Sequence, residues 1–237
     1  MKSNYIISSY LTTGIDQQRG AFLRTNLDNY IWEWYSSLIY LGLNGVVLHD
    51  RLSTDFIARF PGVKFYRVPP VRNYQIYDYR WVIYLNFLKT HPLDNCFFTD
   101  ISDVRVIKDP FIQPEYSSEN LYCGDETGSL GENEWMQRSV YCPQLMKQRY
   151  FEEIILSDLP VLNAGIVGGG YDIMLKFVTN MAHIVEGLKD REDDGSCDMA
   201  LFNYVMHGCF IPIHGEPVNS IFRAEETDRT DVWFKHK

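Results

Sequence analysis

Two aspartates close to each other in the chain are the first residues whose spacing suggests chemistry. Asp100 and Asp103 come directly after the apolar run 96–99. Two carboxylates in one tight loop can converge on a hard cation such as Mg²⁺ or Mn²⁺, because these ions prefer oxygen ligands. The same residues also suit a turn that closes a strand, with both side chains bonded to the backbone. The surrounding sequence has to decide between these two interpretations.

Three further charged residues could also take part in chemistry. Asp198 shares a helical face with Phe202 and Val205, so its carboxylate is expected to be buried or to point into a cleft. Asp125 follows another predicted strand and competes with Asp198 for a catalytic role. Arg80 lies on a helix that is apolar almost all round. A buried guanidinium needs an anionic partner, which is either a structural carboxylate or the diphosphate of a ligand.

The elements that must position these residues alternate along the chain. Apolar periodicity and turn residues predict strands at 5–10, 46–49, 63–68, 95–99, 120–123, 161–167 and 210–213, and helices at 29–42, 54–60, 75–89, 171–186 and 196–207, the last capped by Ser196. This order predicts an α/β fold with a mostly parallel central sheet flanked by helices. Ligands bind beyond the carboxyl ends of such strands, where Asp100 and Asp103 lie. No linker or repeat interrupts residues 1–237, so a single domain is expected.

Composition limits the class of partner and the cellular setting. Apolar residues make up 46% and charged residues 22%, as in ordinary globular proteins. A net charge of −9 argues against binding to nucleic acid, since phosphate neutralisation needs a basic face. The five cysteines include no CxxC pair, which argues against a disulfide framework or a zinc site. With no signal-like or transmembrane segment in the sequence, these features favour a cytoplasmic protein.

Four segments resemble, in order, motifs of GT-A-fold (Rossmann-like, three-layer) glycosyltransferases of the glycogenin-like and galactosyltransferase-like groups. Segment 97–104, FFTDISDV, resembles their DxD segment, with one more residue between the two aspartates. Segment 161–170, VLNAGIVGGG, resembles their LNxG segment, and 198–203, DMALFN, resembles the DQxxxN start of a helix. Segment 214–217, HGEP, resembles the late segment that carries a histidine. Each motif is short, and their common order between residues 5 and 222 carries the resemblance.

The resemblance implies a metal site and a nucleotide-sugar donor. A metal, usually Mn²⁺ and otherwise Mg²⁺, would bind the donor diphosphate. Asp103 would be its firmer ligand, Asp100 would contact the metal or the ribose, and His214 would be the third ligand. The donor is expected to be a UDP-sugar, and the acceptor a hydroxyl of a glycan or glycoconjugate.

The resemblance also assigns residues to the remaining parts of the reaction. The donor base and ribose would lie against Ser9, Tyr10, Leu11 and Thr12, through a ring or through backbone groups, with Arg80 near the diphosphate. Asn163, Ala164 and Gly165 would lie beside the donor sugar. Asp198 or Asp125 would deprotonate the acceptor hydroxyl if the reaction inverts configuration; the sequence leaves the stereochemistry open.

Two other classes of function remain open at the level of sequence, and the first is a metal-dependent enzyme that acts on sugar phosphates. A metal-dependent phosphohydrolase needs a nucleophilic aspartate after the first strand, where this chain has Ser8-Ser9-Tyr10, and a nucleotidyltransferase needs a basic, glycine-rich first loop, where it has only Gly14, Arg19 and Gly20. A sugar- or nucleotide-binding module without catalysis is the second alternative, because the spacing of the aspartate pair departs from the family pattern.

Overall fold

The computed structural model describes residues 3–16, 21–23, 25–139, 145–189, 197–220 and 228–237. Its strands are β1 (Asn4–Tyr10), β2 (Ile15–Asp16), β3 (Ala21–Phe22), β4 (Gly45–His49), β5 (Val63–Arg67), β6 (Asn95–Thr99), β7 (Val104–Val106), β8 (Leu121–Ser129), β9 (Pro160–Gly170), β10 (Ile213–His214) and β11 (Phe234–His236). Its α-helices are α1 (Asp28–Leu41), α2 (Thr54–Ile57), α3 (Ile76–Thr90), α4 (Glu134–Ser139), α5 (Phe151–Ile155), α6 (Tyr171–Gly187) and α7 (Asp198–Cys209).

A seven-stranded sheet in the order β10-β8-β9-β6-β1-β4-β5 forms the centre of the molecule. β1 pairs in parallel with β4 and β6, β4 with β5, and β10 with β8. β9 alone among these strands runs antiparallel to both of its neighbours, β6 and β8. Two small antiparallel pairs, β2–β3 and β7–β11, lie outside this sheet. The predicted α/β fold with a mostly parallel sheet is therefore confirmed.

Apolar side chains cover both faces of the sheet and produce three layers. One cluster joins α3, α6 and α7 to the sheet and includes Trp81 and Phe98. The other joins α1 and α2 to the opposite face and includes Trp34 and Phe97. Phe97 and Phe98 enter different clusters because neighbouring strand residues point to opposite faces. Burial on both faces explains why β6 reads as a continuous apolar run.

The sequence located most of these elements within a few residues, and the largest difference is β9. The predicted strand 161–167 is part of an eleven-residue strand, Pro160–Gly170, and a Cβ on its Gly168 would overlap the ring of Phe97. Glycine at this position lets β9 pack directly on the ring. The predicted cap Ser196 lies outside the described residues, and α7 begins after Cys197.

Where the structure describes the chain, no helix is long and apolar enough to cross a membrane. No disulfide joins the four described cysteines, Cys96, Cys123, Cys197 and Cys209.

Candidate active site

The carboxyl end of β6 is fixed by hydrogen bonds on several sides. The Ser8 hydroxyl donates to the Thr99 carbonyl, and the Trp34 indole N–H donates to Thr99 Oγ1 at 2.8 Å. The Asp100 amide donates to the Gly165 carbonyl at 2.8 Å, so the β6–β9 pairing continues one residue past the strand. Asp100 therefore leaves the sheet at its carboxyl edge in a defined position.

Arg80 of α3 connects Asp100 with Asp198 of α7. Its Nη1 lies 2.7 Å from Asp100 Oδ1, and its Nη2 lies 2.5 Å from Asp198 Oδ2. Its Nε donates to Asp198 Oδ1 at 3.3 Å, and the neighbouring Trp81 indole N–H donates to the same oxygen at 2.7 Å. The buried guanidinium thus has carboxylate partners, and both oxygens of Asp198 accept hydrogen bonds. This is the structural-carboxylate alternative for Arg80.

The charges in this cluster depend on one another. Burial lowers the pKa of Arg80, but the carboxylates of Asp198 and Asp100 outweigh burial and raise it above its ordinary value. Burial raises the pKa of Asp198, while Arg80 and Trp81 favour its charged form. With Arg80 permanently charged, the cluster is stable as a cation held between two carboxylates. Asp198 is buried, as its helical face predicted.

His236 of β11 lies beside Asp100, a neighbourhood that the sequence did not reveal. Its Nε2 and Asp100 Oδ2 each lie 2.8 Å from the position that a Cβ would take on Gly165. The pairing of β11 with β7 sets His236 opposite Val104, and the Lys237 amide donates to the Asp103 carbonyl at 2.9 Å. The 228–237 segment therefore returns to the 100–103 turn. The sequence indicated this return only through the apolar run Val232–Phe234 before His236, and all three residues are buried in the structure.

The side chains at Gly165 fit a divalent cation in chemistry but not as a complete cage. A carboxylate oxygen and an imidazole nitrogen flank the same space, and both are ligand types that Mn²⁺ accepts. Asp103 lies on the same turn. Among the residues that the structure describes, no three such groups stand close enough to hold a metal by themselves. A divalent cation here would need further oxygen ligands, such as the phosphate oxygens of a bound molecule, as is usual for Mg²⁺.

His214 is not placed with the aspartate pair, which corrects its predicted role as third metal ligand. It pairs with Cys123 on β8, which pairs with Val167 on β9, which pairs with Phe98 on β6. Three strand spacings, roughly 14 Å, separate His214 from β6. Two side chains cannot span this distance to bonds of about 2 Å on one ion. His214 Nδ1 instead lies 3.1 Å from Asp125 Oδ2.

The LNxG-like segment of β9 lies between two pairs of side chains, Asp100 with His236 and Asp125 with His214. The Asn163 side chain is buried; its amide donates to Glu126 Oε1 and its oxygen accepts from the Gly165 amide at 2.7 Å. The Ala164 amide lies 3.4 Å from the thioether sulfur of Met199. Of the three predicted sugar-binding residues, Gly165 borders Asp100 directly, whereas Asn163 holds the backbone in place.

The predicted nucleotide-binding segment is only partly exposed to a cleft. Leu11 lies in the apolar cluster of Trp81, and Tyr10 lies in that of Trp34. The Tyr10 ring is therefore not free to stack on the donor base, which corrects the prediction that a ring lies against the base. Burial raises the pKa of Tyr84 to about 12, and its hydroxyl donates to Ser9 Oγ at 3.3 Å. Thr12 lines a cavity of about 590 Å³.

Asp50, which the sequence did not single out, shapes that cavity. It follows β4 and is 1% exposed. The amide of Thr12 donates to both of its oxygens at 2.9 and 3.0 Å, and the amide of Thr13 donates at 2.9 Å. Both threonine hydroxyls donate to it as well. Thr12, Thr13 and Arg51 line the cavity together with Phe22, Leu23 and Thr25.

Two solved structures that are similar to this chain over nearly its whole length are those of a glycosyltransferase. A galactosyltransferase, LgtC, in complex with donor and acceptor sugar analogues is 13% identical, with a TM-score of 0.53 over 98% of this chain and 86% of LgtC. An active-site mutant of LgtC is 14% identical, with the same TM-score and coverage. No family model and no curated protein sequence matches the chain. The fold is therefore the GT-A fold that the sequence motifs predicted.

Proposed function

We propose that this protein is a metal-dependent glycosyltransferase that moves a sugar from a nucleotide diphosphate donor, most simply a UDP-sugar, to a hydroxyl of a glycan or glycoconjugate. One observation carries the proposal: Asp100 Oδ2 and His236 Nε2 flank one space at Gly165, at the carboxyl edge of a GT-A sheet. Ligands of open α/β sheets bind at this edge.

Asp100, Asp103 and His236 would hold the cation, Mn²⁺ or Mg²⁺. When bound, it supplies a Lewis acid for the charge that develops on the leaving diphosphate. His236 replaces His214 in this set because β11 brings it to the 100–103 turn. Asp100 would contact the cation directly, since its Oδ2 faces the space beside Gly165.

Arg80 acts in this scheme by positioning Asp100. Its contact with Asp100 Oδ1 leaves Oδ2 directed at the space beside Gly165. Its other two nitrogens bond Asp198, whose oxygens also accept from Trp81. Both oxygens of the buried Asp198 are occupied by these hydrogen bonds, so Asp125, which is partly exposed and paired with His214, is the better-placed base for an acceptor hydroxyl in an inverting reaction.

The cavity at Thr12 is our candidate for the base and ribose of the donor. It opens beyond the carboxyl ends of β1 and β4, on the same edge of the sheet as Asp100. Its wall includes two threonines whose backbone is fixed by Asp50, and a preorganised loop loses less entropy when a ligand binds.

Calorimetric titration of UDP with and without Mn²⁺ tests the metal site. Wild-type protein should bind UDP tightly only when Mn²⁺ is present. Asp103→Ala and His236→Ala should each weaken Mn²⁺-dependent binding by at least about 10-fold, a loss already typical when a partner of a metal ligand is removed. Asp158→Ala, on the exposed loop before β9, is the matched control and should bind like wild type. Equal affinity for UDP with and without Mn²⁺ would contradict the assignment.

Release of UDP from a panel of UDP-sugars separates an enzyme from a binding module. With Mn²⁺, an active transferase should release UDP slowly by hydrolysis of at least one donor. Binding of UDP without release from any donor would favour the non-catalytic alternative.

A further inference from the structure

A second cavity opens at the carboxyl end of β8 and has no part in the donor assignment above. Its volume is about 510 Å³, which lies within the usual range of about 300–1,000 Å³ for small-molecule sites. It is lined by the hydroxyl-bearing residues Thr127 and Ser129, the carboxylates Glu132 and Glu134, and Trp135. We call it the β8 cavity.

An irregularity in the pairing of β8 with β9 creates this space. Asp125 pairs with Leu162 and Ser129 pairs with Pro160, so β8 has two more residues than β9 between these pairs. Extra residues bend a strand away from its partner. Gly128, with a φ of 93°, takes the left-handed conformation that the bend requires. The end of β8 thus becomes a wall of the cavity.

A short series of contacts connects the cavity with the aspartate pair. Glu126, the residue before Thr127, accepts a hydrogen bond from the side-chain amide of Asn163. The Asn163 oxygen accepts from the Gly165 amide, and Gly165 borders Asp100 Oδ2 and His236 Nε2. β8 runs in the same direction as β6, because both pair antiparallel with β9, so the end of β8 and Asp100 belong to the same edge of the sheet. In the sheet order β6 stands between β8 and the strands β1 and β4, which puts the β8 cavity on the opposite side of Asp100 from the donor cavity at Thr12, where an acceptor for the transferred sugar is needed.

The lining suits a saccharide. Trp135 is 39% exposed, and the flat apolar face of an indole can pack against the C–H face of a sugar ring while polar groups bond its hydroxyls. Ser129 Oγ is buried and, among the residues that the structure describes, has no hydrogen-bond partner. A buried hydroxyl without a partner is costly, and rotation of the Ser129 side chain about its Cα–Cβ bond would turn this hydroxyl towards a ligand hydroxyl in the cavity.

The charge of the lining narrows the class of saccharide. None of the described residues that line the cavity carries a positive charge, and two carry a carboxylate. Bringing a carboxylate, sulfate or phosphate group close to Glu132 and Glu134 would be repulsive, whereas a hydroxyl or an ammonium group would be attracted.

We propose that the β8 cavity is the acceptor subsite and that it binds a neutral or amino-bearing saccharide, with Trp135 as the platform for a sugar ring. The role of the bound saccharide as an acceptor rests on the proposed glycosyltransferase function. The saccharide site itself can be tested without a donor.

NMR titration of the full chain with three disaccharide-based probes tests the site. Lactose is the neutral probe, the β-1,4 dimer of glucosamine is the amino-bearing probe, and sialyllactose is the anionic probe. At least one of the first two should bind, and more tightly than sialyllactose. Trp135→Ala should weaken this binding by about 10-fold or more, as the loss of an aromatic anchor does. Trp32→Ala is the matched control, because Trp32 is 54% exposed on α1 and lies outside the cavity.

A second variant and a donor measurement keep the outcomes distinct. Glu132→Gln should reduce binding of the glucosamine dimer more than binding of lactose, and all variants should keep wild-type affinity for UDP with Mn²⁺. Absence of binding by both favoured probes, tighter binding of sialyllactose, or equal binding by Trp135→Ala would overturn the inference. If wild-type protein shows no Mn²⁺-dependent UDP binding but does show saccharide binding that depends on Trp135, the proposed function alone is refuted.

Discussion

Gly165 is the residue at which the candidate metal site depends most directly on the absence of a side chain. The space beyond its Cα is bounded by Asp100 Oδ2 and His236 Nε2. Any Cβ there would occupy the volume in which, in the proposed site, a carboxylate and an imidazole would bind the cation. The sequence motif singled out this glycine by resemblance, and in the structure a Cβ at this position would overlap His236 and Asp100.

Gly165→Ala should abolish Mn²⁺-dependent UDP binding while the protein remains folded. The new methyl group would displace Asp100 and His236 from the positions that they now share. Calorimetry with UDP and Mn²⁺ measures the effect. Gly124→Ala is the control on the neighbouring strand, because its Cβ would meet Asn163 at 3.5 Å, an ordinary contact. Retained metal-dependent binding in Gly165→Ala would refute the placement of the ion.

Arg80→Met should lower the free energy of unfolding by about 3–5 kcal/mol, because it leaves the buried Asp198 carboxylate without its cation. Urea denaturation followed by circular dichroism measures this change. Arg59→Met provides the contrast: its ion pair with Asp28 is about half exposed, so its loss should cost less than about 1 kcal/mol. Similar losses for the two variants would show that the Arg80 cluster is not an essential part of the fold.

At the scale of elements, loops and helices are fastened to the sheet by buried polar side chains. Asn203 of α7 accepts from the Leu162 amide and donates to the Leu162 carbonyl, both at 2.8 Å. This pair fixes α7 along β9 and so sets the distance from Asp198 to Arg80. Asp50 does the same for the loop after β1, through the amides of Thr12 and Thr13.

Asp50→Asn should weaken UDP binding by about 10-fold and lower the free energy of unfolding by about 1–3 kcal/mol. The amide group of asparagine would face backbone N–H groups that need an acceptor, and the loop that lines the 590 Å³ cavity would lose its support. Calorimetry and urea denaturation measure the two effects. Asp55→Asn, exposed on α2, should change stability by no more than about 0.5 kcal/mol. Unchanged UDP affinity in Asp50→Asn would separate this loop from the donor site.

At the scale of the whole molecule, the buried His49 and the partly buried His207 couple stability to pH. His49 Nδ1 accepts from the Leu52 amide at 3.2 Å, and His207 Nε2 bonds the Pro160 carbonyl at 2.9 Å. Burial lowers the pKa of both imidazoles below the ordinary value of 6.5. The folded protein therefore holds both in the neutral form at pH values where the unfolded chain binds protons.

The free energy of unfolding should fall as the pH drops below about 6.5, and this loss should continue down to the lowered pKa values of the folded state. Above 6.5 both states are neutral at these positions, so this contribution is complete. Urea denaturation at a series of pH values measures the slope. His207→Gln keeps a donor for the Pro160 carbonyl and should flatten the slope, whereas His183→Gln, exposed on α6, should not. An unchanged slope in His207→Gln would show that His207 does not contribute to the pH dependence of stability.

The sequence by itself determined the alternation of elements and the position of the aspartate pair. Local periodicity is enough to recognise a strand buried on both faces, and β6 was predicted at its observed limits, with Asp100 directly after it. The buried face of α7 likewise predicted the burial of Asp198. These features depend on residues within one or two turns of each other, so a local pattern contains the information.

Only the tertiary structure decided which distant residues meet Asp100. His214 and His236 both follow short apolar runs, yet sheet order puts one three strands away and the 228–237 segment brings the other beside the 100–103 turn. The antiparallel direction of β9, the burial of Tyr10 and the bulge that opens the β8 cavity were likewise decided by packing. Pairing between strands far apart in the chain depends on the shape and volume of the whole core, which no local window of sequence contains.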